Sequence, residues 1–259
     1  MKLTRIDLNS WIFTLAGHTI LVDPWLVDPM VFYGLPWLFT AYHNVPPAFT
    51  PETLPPIDLI LLSQGLDDHC HKPTLERLDR AIPVIASPTA AKVVTALGYR
   101  QVTSLAAWQE TIVDTLQITA VPGAEIQPGQ MENGYWLRDR ATGSSLYYEP
   151  HQMPEARVLQ ERIGQVDVAI APVIGQIFPL LGQVIMGAEE SLELARILHP
   201  RFFVPTTMGD IRTQGILPRL IKSVGSVAEF RDRLSRSGLA TELLVPEPGE
   251  TVEIMPIAT

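Results

Sequence analysis

Apolar-rich runs of four to six residues open the chain at 3–8, 11–15 and 19–22, and turn-prone Asn9-Ser10 and Ala16-Gly17 separate them. This pattern predicts short antiparallel hairpins. Residues 57–62, apolar apart from Asp58, form a run of the kind found in a buried strand. A loop over 63–71 then leads to a helix beginning near Pro73, a favoured first-turn residue. A strand over 84–86 feeds a second helix, with Ser87 as N-cap, Pro88 at its first position and Gly98 as its stop. Further strands are predicted over 111–121, 135–138 and 146–148. Helix and strand then alternate over 154–163, 166–171, 189–198 and 202–204. Ser226 and Glu229 have the spacing of a capping box for the last helix, and strands over 243–245 and 252–255 close the chain. Hairpins interleaved with βα units predict mixed sheets covered by helices, in a single domain over residues 1–259.

Two segments break this texture. Between Asp23 and Pro56 stand eight prolines and seven aromatics, among them Trp25 and Trp37, with few charges. Such a stretch cannot form a regular helix or a central strand, so a long loop or lid is expected at about 24–56. Residues 168–188 carry no charge over a length sufficient for a membrane helix. Pro172, Pro179, Gly175, Gly182 and Gly187 interrupt them, which predicts a buried strand entering an apolar loop and no membrane span.

Composition narrows the function classes. Charged residues make up 18% of the chain and hydrophobic ones 46%, as in a well-buried globular protein. A net charge of −9 repels a phosphate backbone, so nucleic acid is not an expected partner. The start has no uninterrupted apolar run or cleavage site of an export signal, and the expected location is cytoplasmic. One cysteine excludes an internal disulfide. Glycine-rich nucleotide loops, a Gly-X-Ser-X-Gly elbow and a His-Glu-X-X-His helix are all missing from the sequence.

The densest set of chemically capable side chains is Asp67-Asp68-His69-Cys70-His71, directly after the 57–62 strand. Two carboxylates, two imidazoles and a thiol can ligate a metal. The same aspartates could equally cap the coming helix, and the histidines could be hydrogen-bonded structural groups.

Seven landmarks in order resemble the metallo-β-lactamase fold, in particular the branch similar to ascorbate-6-phosphate lactonase. They are residues 20–24, ending in Asp23; 61–69, with Gln64, Asp68 and His69; 119–125, ending in Glu125; 132–135; 146–151, with Glu149 and His151; 188–200; and 202–207, ending in Thr207. The resemblance implies a four-layer αββα sandwich and a metal-dependent hydrolase acting on a small ester, lactone or phosphate-containing molecule. It also exposes departures. The first two histidines of the family's metal loop fall on Gln64 and Leu66, a third falls on Glu125 or Ala124, the bridging aspartate falls on His151, or on Glu149 if the strand is shifted, and the last histidine falls on Thr207.

What remains implies at most one divalent metal, zinc or manganese, held by Asp68, His69 and His151, with His71 nearby. Asp68, Glu149 and Asp23 are the candidate catalytic groups, and Gln64, Trp25, Trp37, Glu125 and Thr207 the candidate substrate contacts. Two other readings stay open. One is metal-free acid–base work by Glu149 and His151. The other is a catalytically silent member, without metal, that binds a small apolar ligand or a protein partner through the lid. Homo-oligomerisation through the lid is open as well.

Overall fold

A computed structural model describes residues 1–127, 130–179 and 181–255. The first half runs β1 (Lys2–Asp7), β2 (Ser10–Leu15), β3 (His18–Val22), β4 (Met30–Val31), β5 (Thr40–His43), β6 (Leu59–Leu62), α1 (Lys72–Leu75), β7 (Val84–Ala86), α2 (Pro88–Ala96) and β8 (Val102–Ser104). Next come β9 (Glu110–Val113), β10 (Leu116–Gln127), β11 (Gln130–Asp139), β12 (Ser145–Tyr148), α3 (Ala156–Arg162), β13 (Val168–Pro172), β14 (Gly175–Phe178) and β15 (Gly182–Ile185). The chain ends with α4 (Ala188–Leu198), β16 (Phe202–Thr206), β17 (Ile211–Gln214), β18 (Lys222–Val224), α5 (Val227–Arg236), β19 (Glu242–Leu243) and β20 (Thr251–Glu253).

Two seven-stranded sheets dominate, in the orders β20-β1-β2-β3-β6-β7-β8 and β19-β16-β13-β12-β11-β10-β9. Their facing surfaces bury one apolar core, with Trp11, Phe13, Ile20 and Leu61 from the first sheet against Ile118, Tyr135, Tyr148 and Val204 from the second. A second core packs the outer face of the first sheet on α1 and α2 through Leu21, Ile60, Leu75 and Val94. A third packs the other sheet on α3, α4 and α5 through Tyr147, Leu159, Leu194 and Phe230. The layers are therefore helix, sheet, sheet, helix, the αββα order expected from the sequence. Strands such as β6 and β13 are buried on both faces, which is why they read as continuous apolar runs rather than alternating ones.

The predicted cap of α2 is formed, with Ser87 Oγ accepting from the Ala90 amide at 3.4 Å. At α5, Ser226 Oγ accepts from the Glu229 amide at 3.0 Å. Three expectations are corrected. The 111–121 strand divides at a turn into β9 and β10. The helix near Pro73 is a single turn, capped by neither Asp67 nor Asp68, since His71 occupies its N-cap position. The segment over 24–56 also contains strands: β5 pairs with β4 on one side and with β17 on the other in a small sheet, and Trp25, Met30 and Ala41 form its core. Proline excludes a long strand there, but two short edge pairings avoid the prolines. The charge-free stretch becomes β13 followed by the β14–β15 hairpin. Among the described residues, no helix is long and apolar enough to cross a membrane.

Candidate functional site

Strand β3 pairs in parallel with β6, and β13 pairs in parallel with both β12 and β16. Parallel strands leave loops at their carboxyl ends in a common crevice, and ligands gather there. Asp23 follows β3, Ser63 follows β6, Glu149 follows β12 and Thr207 follows β16. Asp23 and Thr207 both take left-handed backbone, at φ 41° and 57°. Non-glycine residues seldom do so, and such positions concentrate at functional sites.

Asp23 is fully buried and organises its surroundings. Its Oδ1 accepts from the Ser63 amide at 2.8 Å, while Oδ2 takes the Ser63 hydroxyl at 2.6 Å and the Tyr148 hydroxyl at 2.7 Å. The same Oδ2 lies 2.8 Å from His69 Nδ1. His69 Nε2 then faces Asp68 Oδ2 at 3.1 Å and the Asn9 side-chain amide at 3.3 Å. The His151 ring stands beside it, with centroids 4.7 Å apart. Asp68, His69 and His151 each present one donor atom, all within 4.8 Å of one another.

The electrostatics follow from this packing. Burial by itself would lower the His69 pKa, but the Asp68 and Asp23 carboxylates overcome it and raise the value to about 10. Burial works against the charged form of Asp68, yet His69 holds it below the usual carboxylate range. His151 is pushed down to about 3, first by burial and then by His69, so its ring is neutral and one of its nitrogens is an acceptor. Burial pushes Glu149 up to about 8, against the opposing His151 and Gln152 amides.

The other expected residues divide into three groups. Gln64 belongs with the cluster: its amide nitrogen lies 2.9 and 3.1 Å from the two nitrogens of His151. Glu149 Oε1 accepts from the backbone of His151 at 2.9 Å and of Gln152 at 3.2 Å, which fixes the turn carrying His151. Its Oε2 is buried without a hydrogen-bond partner against Gly134, where a Cβ would stand 2.5 Å from that oxygen. Thr207 Oγ1 lies 2.8 Å from both Asn9 Oδ1 and the Pro150 carbonyl, closing the far wall.

His71 is not brought into the group. Its Nδ1 pairs with Thr74 Oγ1 at 2.9 Å and its Nε2 faces the Pro29 carbonyl at 3.3 Å, so it ties the lid's root to α1. Trp25 is likewise corrected from ligand contact to core, being buried and stacked on His43 at 3.7 Å. Trp37 is exposed on the outer rim of the lid. Glu125 lies on β10, and its side chain is outside the described set.

Sequence reasoning did not single out Asn9, Ser63 or Tyr148 as site residues, and it read Asp67 only as a member of the 67–71 cluster or a helix cap. The first three are uncharged partners of Asp23 and His69, recognisable only once burial brings them together. Asp67 Oδ2 accepts from the Tyr33 amide at 2.8 Å, clamping the lid to the loop that carries Asp68.

Two stacked sheets flanked by helices, with carboxylate and imidazole groups gathered at the ends of the parallel strands, define a metallo-β-lactamase fold. The sequence profile of the beta-lactamase superfamily domain matches residues 2–207, and the chain belongs to that family. Three solved structures share the architecture. An isothiocyanate hydrolase from Delia radicum gut bacteria is 19% identical with a TM-score of 0.75, over 99% of this chain and 100% of that one. A possible metal-dependent hydrolase from Veillonella parvula is 16% identical with a TM-score of 0.76, over 98% and 99%. A novel metallo hydrolase from the archaeon Ignicoccus hospitalis is 19% identical with a TM-score of 0.69, over 97% of each. Likeness at this identity speaks to the fold. No curated protein matches the chain.

Proposed function

We propose that the protein is a hydrolase of a small ester, lactone or phosphate-containing molecule, with one divalent metal held by Asp68, His69 and His151. The observation that carries this reading is the donor set itself. One carboxylate and two imidazoles converge, and Asp68 Oδ1 is buried without a hydrogen-bond partner. The carboxylate of Asp23 behind His69 Nδ1 is the arrangement that commonly orients a metal-ligating histidine. Zinc in such a set supplies Lewis acidity toward a carbonyl or phosphoryl oxygen.

The chain's own residues do the positioning. Asp23 fixes the His69 ring and directs Nε2 toward Asp68. Glu149 holds the backbone of His151 through Oε1, and at neutral pH its carboxyl keeps a proton. The Gln64 amide donates to the His151 ring edge and sets its orientation. Names carried by structural relatives, among them an isothiocyanate hydrolase, agree with hydrolytic use of the fold.

A second reading is favoured by one observation: His69 can stand as an imidazolium between Asp68 and Asp23, each carboxylate within 3.1 Å, with the proton taking a metal's place. The protein would then bind a small ligand or partner without catalysis. Metal analysis of protein purified without an affinity tag, followed by zinc and manganese titration, decides between them. Stoichiometric metal that is lost in His69→Ala, with ester, lactone or phosphoester turnover, supports the hydrolase. Absence of metal and of any thermal shift with either ion overturns it.

A further inference from the structure

Three segments almost free of charge converge around the candidate site. The lid over 29–51 contains no Asp, Glu, Lys or Arg, nor does 168–188, and 211–228 contains only Arg212, Arg219 and Lys222. The rest of a chain with net charge −9 is accordingly more acidic still. The fold ties these segments together. Trp37 and Leu38 carbonyls accept from the Ile216 and Leu217 amides at 3.1 and 3.0 Å. The β14–β18 ladder pairs Ile177 with Lys222, so the β14–β15 turn lies next along it, toward Ile221 and Leu220.

Large apolar side chains on these linked segments face outward. Tyr33, Leu35, Trp37, Leu181, Ile216 and Leu220 are all exposed, Trp37 by 61% and Leu181 by 72%. Exposed apolar groups massed in one place mark an interaction surface, unlike single scattered ones. Arg212, Arg219 and Lys222 are exposed among them. No ion pair with an acidic side chain involves any of the three among the described residues, while Arg212 lies over the Tyr42 ring at 4.3 Å. Tryptophan, tyrosine and leucine beside unpaired basic side chains are the composition of a membrane-interface anchor. The 211–228 segment, with three basic and no acidic side chains, has a sign opposite to that of the whole protein, which favours an anionic partner there.

We propose that this rim docks the protein on an anionic lipid surface, with the apolar side chains entering the headgroup region and Arg219 and Lys222 pairing with lipid phosphates. The lid reaches the site through the Tyr33–Asp67 contact, and β15 reaches it through the Met186 amide on the His151 carbonyl at 2.8 Å. Docking therefore sets the cleft beside the headgroups. The binding does not depend on the hydrolase reading.

Co-sedimentation with vesicles tests it, using phosphatidylcholine alone and phosphatidylcholine mixed with phosphatidylglycerol. The protein should pellet with the anionic vesicles, weakly or not at all with the neutral ones, and less as salt rises. Arg219→Gln with Lys222→Gln should weaken anionic binding by roughly thirtyfold, about fivefold for each charge. Trp37→Ser should weaken it as well while the melting temperature holds. His69→Ala should still pellet, which separates this result from any failure of the metal site. Failure to pellet with either vesicle overturns the proposal, as does equal binding to both. Light scattering that shows a dimer dissolved by Trp37→Glu, with no vesicle binding, overturns it in favour of a self-interface.

Discussion

Asp23 Oδ2 lies 2.8 Å from His69 Nδ1, and this contact decides which way the imidazole faces. With Nδ1 committed to Asp23, Nε2 is the nitrogen offered to the cleft. Asp23→Asn keeps the shape and removes the charge. It should lower metal affinity by about 10- to 100-fold, the usual consequence of losing such a supporting partner. Calorimetric titration of zinc into both proteins measures the difference.

The same geometry couples metal to protons. His69 has a pKa raised to about 10 by Asp68 and Asp23 against the effect of burial. Below that value a metal reaches Nε2 only by displacing a proton. Apparent affinity should therefore climb with pH, by up to about tenfold per unit, until His69 loses its proton unaided. Calorimetry in buffers of different ionisation enthalpy should count one proton released at His69 per ion bound. A pH-independent affinity would mean that Nε2 carries no proton in the free protein.

His71 makes a separate pH prediction about stability. Burial lowers its pKa from 6.5 to about 4. Its folded value lies below its unfolded one, so as pH falls the unfolded chain takes up the proton first. Its contribution is whole above about pH 6.5 and is lost toward about pH 4, at up to about 1.4 kcal/mol per unit. The stability advantage of the wild type over His71→Gln should shrink across that window, read from urea melts at each pH.

Gly134 supplies a steric test of the Glu149 turn. An added Cβ would meet Glu149 Oε2 at 2.5 Å and the Tyr148 carbonyl at 2.9 Å; the second is backbone, and the first belongs to a buried carboxyl whose Oε1 is held by the His151 and Gln152 amides. Gly134→Ala should cost about 1–3 kcal/mol, the range for overpacking a filled site. It should also disturb His151 through Glu149 Oε1, so the melting temperature and metal binding fall together.

Much of this molecule is legible in its sequence where local chemistry speaks for itself. The edges of α2 follow from Ser87 and Pro88, and β1 to β3 follow from apolar runs divided by turn residues. The small lid sheet is not legible, because β5 pairs with β17 across some 170 residues and β4 is two residues long. Asp68, His69 and His151 stand out because ionisable groups are scarce in apolar surroundings. Asn9 does not: it reads as a turn residue, and only the fold turns its side chain toward His69 Nε2. Trp25 misleads in the opposite sense, since an aromatic in a lid suggests a ligand surface while this one completes the core beneath it.

Cys70 sits between His69 and His71, is 1% exposed, and burial pushes its thiol pKa far up. A thiol in that state is inert to alkylating reagents while the loop is closed. Because the chain has no other cysteine, the rate at which an alkylating reagent consumes thiol is a direct clock for opening of the ligand loop. The protein thus carries a native probe by which the loop's breathing can be timed with and without metal, with no label introduced.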